Sequence, residues 1–127
     1  MNKSIRKSVY DKFGGKCAYT GKTLPKDWQV DHIFPLGSNC IGLNDIDNLF
    51  PALPIVNHYK RCLGLQGFRE RMISFHLRLA KLPKKTNCDK TKARIVYMNK
   101  VADAFGITVD NPFSGVFYFE KLINEQK

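Results

Sequence analysis

No apolar run in this chain approaches the roughly 20 residues that a helix needs to cross a bilayer, and no hydrophobic segment follows the charges at its amino end. Neither a membrane span nor a secretory leader is expected, which makes the cytoplasm the expected compartment. Cys17, Cys40, Cys62 and Cys88 show no close pairing. Nothing there points to a disulfide framework, and all four read as reduced thiols. Internal repeats and low-complexity tracts are missing too. Acidic residues are scarce, 11 against 21 Lys and Arg, for a formal charge of +10.

What is there suits one compact domain spanning residues 1–127. The length allows one real core and not two, and apolar and aromatic residues are plentiful enough to rule out disorder as the default. A basic surface can serve solubility alone, but the charge here is unevenly spread. Residues 27–50 hold Asp27, Asp31, Asp45 and Asp47 and no Lys or Arg. Residues 60–85 hold Lys60, Arg61, Arg69, Arg71, Arg78, Lys81, Lys84 and Lys85 against one acid, Glu70. Lys3, Arg6, Lys7, Lys12 and Lys16 precede the acidic stretch. An acidic patch between basic runs suits a metal site inside a phosphate-binding surface.

Hydrophobic spacing gives an α+β chain with flanking helices. Ile5, Val9, Tyr10 and Phe13 predict a short helix stopped by Gly14-Gly15. Residues 16–28 carry turn signals and predict a small hairpin or loop. Residues 29–34 read as a strand ended by Pro35, residues 35–48 as a loop, and residues 49–53 as a second short strand. Pro54 is placed to open a helix to about residue 63. After Gly64 and Gly67, the stripe Phe68, Met72, Phe75, Leu79 and Leu82 predicts one longer amphipathic helix with Arg69, Arg71, Arg78 and Lys81 mostly off it. The stripe is read as core in preference to a dimer interface. Residues 83–89 form a linker, 91–105 a helix with Gly106 as its stop, and 113–119 a short C-terminal strand.

The chemistry gathers between residues 29 and 61. Asp31 and His32 lie on the first strand, Asn48 at the end of the loop, and Asn57 one turn into the helix. Neighbours in a strand point to opposite faces, so Asp31 and His32 flank a site at the strand's end and do not both face one atom. Asn57 and Lys60 share a helical face. A hard divalent cation wants oxygen ligands, which Asp31 and the Asn57 carboxamide can supply. A neutral His32 can take a proton from an attacking water. Asn48 can pin the loop, and Lys60 or Arg61 can hold phosphate. His58 competes as a ligand candidate, whereas His76, inside the later helix, reads as a packed or surface residue. Singly these residues are ordinary, and the combination carries the reading.

The combination resembles the ββα-metal core of the HNH (His-Asn-His) endonucleases, over Val30-Asp31-His32-Ile33-Phe34-Pro35, Asp45-Ile46-Asp47-Asn48-Leu49 and Asn57-His58-Tyr59-Lys60. The approach from Val9 through Gly21 is similar to that family's entry to the core. Phe117-Tyr118-Phe119-Glu120-Lys121 resembles the end of a phage and bacterial branch. The resemblance implies a core over about residues 17–62 and an extension over 64–127. It implies Asp31 and Asn57 as ligands of Mg²⁺ or another divalent cation such as Mn²⁺, with His32 as general base and Asn48 bracing the loop. It further implies double-stranded DNA as substrate, contacted by Lys60, Arg61, Arg69, Arg71, Arg78 and Lys81. One active site per chain nicks one strand, and a homodimer is expected if both strands are cut. The alternative is a noncatalytic DNA-binding protein that keeps the fold. Many members also grip a structural zinc with two Cys-x-x-Cys knuckles. Here the matching positions are Cys17, Thr20, Leu53 and Val56, too few thiolates for zinc, so no structural zinc is expected.

Overall fold

The computed structural model describes residues 2–33 and 45–125. The chain runs through α1 (Lys3–Asp11), β1 (Gln29–His32), a 3₁₀ turn (Ile46–Asn48), β2 (Leu49–Ala52), α2 (Pro54–Lys60), α3 (Leu65–Ile73), α4 (Phe75–Ala80), α5 (Asp89–Phe105) and α6 (Tyr118–Glu125). The result is a small mixed α+β fold. Most of the loop expected over 35–48, with the Pro35 stop, lies outside the described residues.

Local chemistry explains each element. The Asn2 side chain caps α1 by accepting the Ile5 N–H at 2.8 Å. Past its end the backbone turns through Gly14 and Gly15 at φ 64° and 80°. A side chain at Gly15 would also meet the Tyr10 hydroxyl at 2.9 Å. Residues 16–28 hold the expected small hairpin, with Cys17 N–H donating to the Lys22 carbonyl at 2.8 Å. Pro54 opens α2, and Gly106 closes α5 in the left-handed region at φ 70°.

β1 and β2 pair antiparallel, with Asp31 opposite Phe50 and His32 opposite Leu49. Both are shorter than expected, and α2 ends at Lys60 instead of continuing to residue 63. The single helix expected from Phe68 to Leu82 is two helices, because the chain breaks at Ser74 (φ −94°, ψ 1°). Arg78 stabilises that break: its guanidinium donates to Ser74 Oγ at 2.7 Å and to the freed Arg71 carbonyl at 2.6 Å. The stripe faces inward, since Phe68, Met72 and Phe75 are fully buried and Leu79 and Leu82 pack on the core.

The short C-terminal strand expected over 113–119 does not form. Residues 113–117 have no regular structure, and α6 starts at Tyr118. Glu120 decides this by reaching back to accept the Phe117 N–H at 2.9 Å, half of a capping box. The aromatic pattern is still used for burial. Phe117 stacks on Phe68 at 5.4 Å and meets Tyr19 edge-on at 5.3 Å, and Phe119 meets Phe50 edge-on at 4.7 Å. Ala18 N–H donates to the Pro51 carbonyl at 2.9 Å, while the Ala18 and Tyr19 carbonyls accept Phe119 and Tyr118 N–H at 2.9 and 3.1 Å. The segment around Tyr19 thus ties β2 to the C-terminal aromatics. Among the described residues no helix is long and apolar enough to cross a membrane.

Arg69 grips Glu120 with two hydrogen bonds, at 2.5 and 2.8 Å, and donates to the Gly115 carbonyl at 2.7 Å. Burial alone would raise the Glu120 carboxyl, but the Arg69 and Phe117 N–H hydrogen bonds and the Arg69 charge outweigh it. The carboxyl is held below its ordinary 4.5. Its stabilisation is therefore present above that value and is lost as pH falls through the folded value. Glu120→Gln should lose less stability on acidification below 4.5 than the wild type does. Urea midpoints taken through mild acid check this, and parallel curves would remove Glu120 from the acid dependence.

Candidate active site

Strand alternation sets the geometry at β1. Gln29 and Asp31, two residues apart, project to the same side, and that side meets α2. Asn57 Nδ2 donates to Gln29 Oε1 at 2.8 Å. One turn further along α2, Lys60 Nζ donates to Asp31 Oδ1 at 3.3 Å and lies 3.1 Å from Oδ2. Lys60 also donates to the His32 carbonyl at 3.2 Å. The Tyr19 hydroxyl donates a short hydrogen bond to Asp31 Oδ2. His32 follows Asp31 with its side chain on the alternate face, half-buried at the end of the strand. Asn48 is buried, and its carbonyl accepts the Ile33 N–H at 3.0 Å, fastening the end of the loop to the end of β1.

Asp31 is 4% exposed and Lys60 0%. Burial pushes the Asp31 carboxyl above its ordinary range, against the pull of the Lys60 charge, the Tyr19 and Lys60 hydrogen bonds and the nearby His32. Burial, and then Asp31, push the Tyr19 hydroxyl well up. Two buried charges here stay tolerable because each is paired and hydrogen-bonded.

The donor set fits a hard cation. The Asp31 carboxylate, the Asn57 and Gln29 carboxamide oxygens and the His32 carbonyl are oxygen donors spread along the strand–helix contact, with Asn57 and Gln29 at the start of β1 and Asp31 and the His32 carbonyl toward its end. A positive charge is already held among three of these oxygens, as the ammonium of Lys60. That ammonium stands in for the kind of ion the oxygens attract, and a divalent ion drawn to Asp31 has to share the carboxylate with it or move it aside. Among the described residues no three His, Cys, Asp or Glu side chains converge, so a divalent ion here would draw its remaining ligands from amides, carbonyls, water or phosphate. Of the four residues set against the zinc knuckles, Cys17 and Val56 are fully buried, Leu53 packs on the core and Thr20 is half-buried.

The expected phosphate-binding cations separate into distinct places. Lys60, expected to hold phosphate, lies wholly inside the domain with its ammonium on Asp31. Arg69 is engaged by Glu120 and Gly115. Lys81 is exposed just past α4. Arg61, Arg71 and Arg78 converge with Arg94, Tyr59, Tyr97 and Met98 on a cleft of about 410 Å³. This cleft lies on the α5 side of α2, so the short helix serves two places at once.

Gln29, Tyr19, Arg94 and Tyr97 are absent from the sequence expectation. Gln29 was accessible through the period of two from Asp31. The others are brought in by packing between distant segments, and no local signal marks them. No family model, curated protein or solved structure matches the chain.

Proposed function

We propose that this chain is a metal-dependent endonuclease of the HNH type that hydrolyses DNA phosphodiester bonds. The supporting observation is the β1–β2–α2 unit, in which α2 lies along the Gln29–Asp31 side of β1, with Asn57 bonded to Gln29, Lys60 bonded to Asp31 one turn on, and His32 at the strand's end. Asp31 and Asn57 are the ligands for Mg²⁺ or Mn²⁺, with Gln29 as a further oxygen donor. The bound ion supplies stabilisation of charge developing on the phosphate and on the leaving oxygen. His32 takes a proton from the attacking water, and Asn48 holds the loop end against the strand. Arg61, Arg71 and Arg78 contact the DNA backbone. A monomer with one such centre nicks one strand at a time, and paired cleavage takes a homodimer or two events. The setting is the cytoplasm of a bacterial or phage-infected cell.

The test is incubation of end-labelled duplex DNA with purified protein in Mg²⁺, in Mn²⁺ and in chelator. Fragments in either metal and none in chelator are expected. A second reading, a noncatalytic DNA-binding protein on the same scaffold, draws on one specific observation: the Asp31 carboxylate is already neutralised by Lys60 and bonded by Tyr19. Duplex binding with no fragments in any metal would favour it.

A further inference from the structure

The concave surface bounded by α2, α3, α4 and α5 is lined by four guanidinium groups, and among the described residues none that lines it is acidic. Arg78 is fixed in place, held by Ser74 Oγ at 2.7 Å, the Arg71 carbonyl at 2.6 Å and the Tyr59 hydroxyl at 3.2 Å. Arg61, Arg71 and Arg94 are exposed. Arg61 holds φ 54°, ψ −130°, a conformation rare for a side-chain-bearing residue, immediately after α2. Four like charges in one cleft repel one another, and an anion relieves that. Guanidinium groups match phosphate oxygens in a two-pronged geometry that lysine cannot reproduce. A volume near 410 Å³ is worth roughly a dozen waters at about 30 Å³ each, more than a single phosphate fills. Arg61 also follows Asn57 by one turn, about 6 Å along the helix, so an extended ligand that leaves the cleft past Arg61 is about one helical turn from Asn57.

We propose that the Arg61–Arg71–Arg78–Arg94 cleft grips consecutive phosphates of a DNA strand flanking the cutting site. This rests on the DNA-binding part of the reading above and assigns it a place. Arg94 and Tyr97, on α5, become part of the DNA-contacting surface. Arg78 acts as the fixed anchor, with the exposed arginines closing on the backbone around it.

The test is anisotropy of a short fluorescent DNA duplex across a potassium chloride series, with chelator present so that nothing is cut. Arg71→Ala/Arg94→Ala should weaken binding about tenfold or more and flatten the log–log salt slope by about two, near 0.9 for each phosphate no longer neutralised. Lys84→Ala/Lys85→Ala removes the same charge outside the cleft and should leave the slope nearly unchanged. Equal effects from the two pairs, or an unchanged slope in the arginine pair, would overturn the proposal. So would tight calorimetric binding of inorganic pyrophosphate with duplex affinity insensitive to the arginine pair, since the cleft would then serve a small anion. A wild type that binds but never cuts removes the nuclease reading and leaves the cleft. A double variant with wild-type binding that still cuts does the reverse.

Discussion

Replacing Lys60 with alanine should lower folding stability by about 3–5 kcal/mol, because one partner of a fully buried ion pair is removed and the other is left behind. The loss compares with a typical total of about 5–15 kcal/mol, so partial unfolding is within reach. The cause is specific. Lys60 carries the positive charge against both Asp31 oxygens and also satisfies the His32 carbonyl. Lys60→Met keeps most of the volume and isolates the charge effect. Without the ammonium the Asp31 carboxyl rises further, so the folded state holds its proton to higher pH than the unfolded chain does. Stability of Lys60→Met should therefore be greatest in mild acid and fall as pH rises through that window. Replacing the whole group, as Lys60→Met/Asp31→Leu/Tyr19→Phe, should recover much of the loss, since no buried polar atom of the trio is left unpaired. Urea unfolding measures all three. A Lys60→Met variant as stable as wild type at every pH would mean that the pair contributes nothing to folding.

His32→Ala should reduce cleavage by about 10²–10⁴-fold while leaving the fold and DNA affinity close to wild type. His32 is half-buried at the strand's end, and alanine keeps its backbone carbonyl, which accepts from Lys60. The substitution therefore removes the imidazole and keeps the carbonyl that Lys60 uses. Rates on a short duplex, beside anisotropy of the same duplex in chelator, separate the chemical step from binding. Loss of binding in step with cleavage would make His32 a contact residue and not a base.

Period and punctuation made much of this fold legible in the sequence. Gly14-Gly15, Pro54 and Gly106 mark boundaries through backbone geometry alone, and the Phe68–Met72–Phe75 stripe identifies a face that is buried. The C-terminal segment misled because an aromatic-rich run favours strands, while Glu120 three residues after Phe117 was a cap signal that the aromatics overshadowed. The break at Ser74 depends on Arg78 reaching back to Ser74 and the Arg71 carbonyl, which a helical pattern does not report. Around β1 and α2, the motif spacing singled out Asp31, His32 and Asn57. It could not say that Lys60 would turn inward, because a lysine three residues from an asparagine on a short helix reads equally well as a surface phosphate contact. Its partner Asp31, and Tyr19 on the same carboxylate, lie about 30 and 40 residues away in the chain, and only packing brings them together. The same limit hid Arg94, which reaches its cleft because α5 packs on α2.

The most direct test of the account is conversion of supercoiled plasmid to open-circle and linear forms by wild type and His32→Ala side by side, in Mg²⁺, in Mn²⁺ and in chelator. The account predicts open-circle product from the wild type in metal, none in chelator, and little from the variant although both proteins bind the plasmid. Plasmid bound yet intact under both ions, or cut equally by the two proteins, would contradict it.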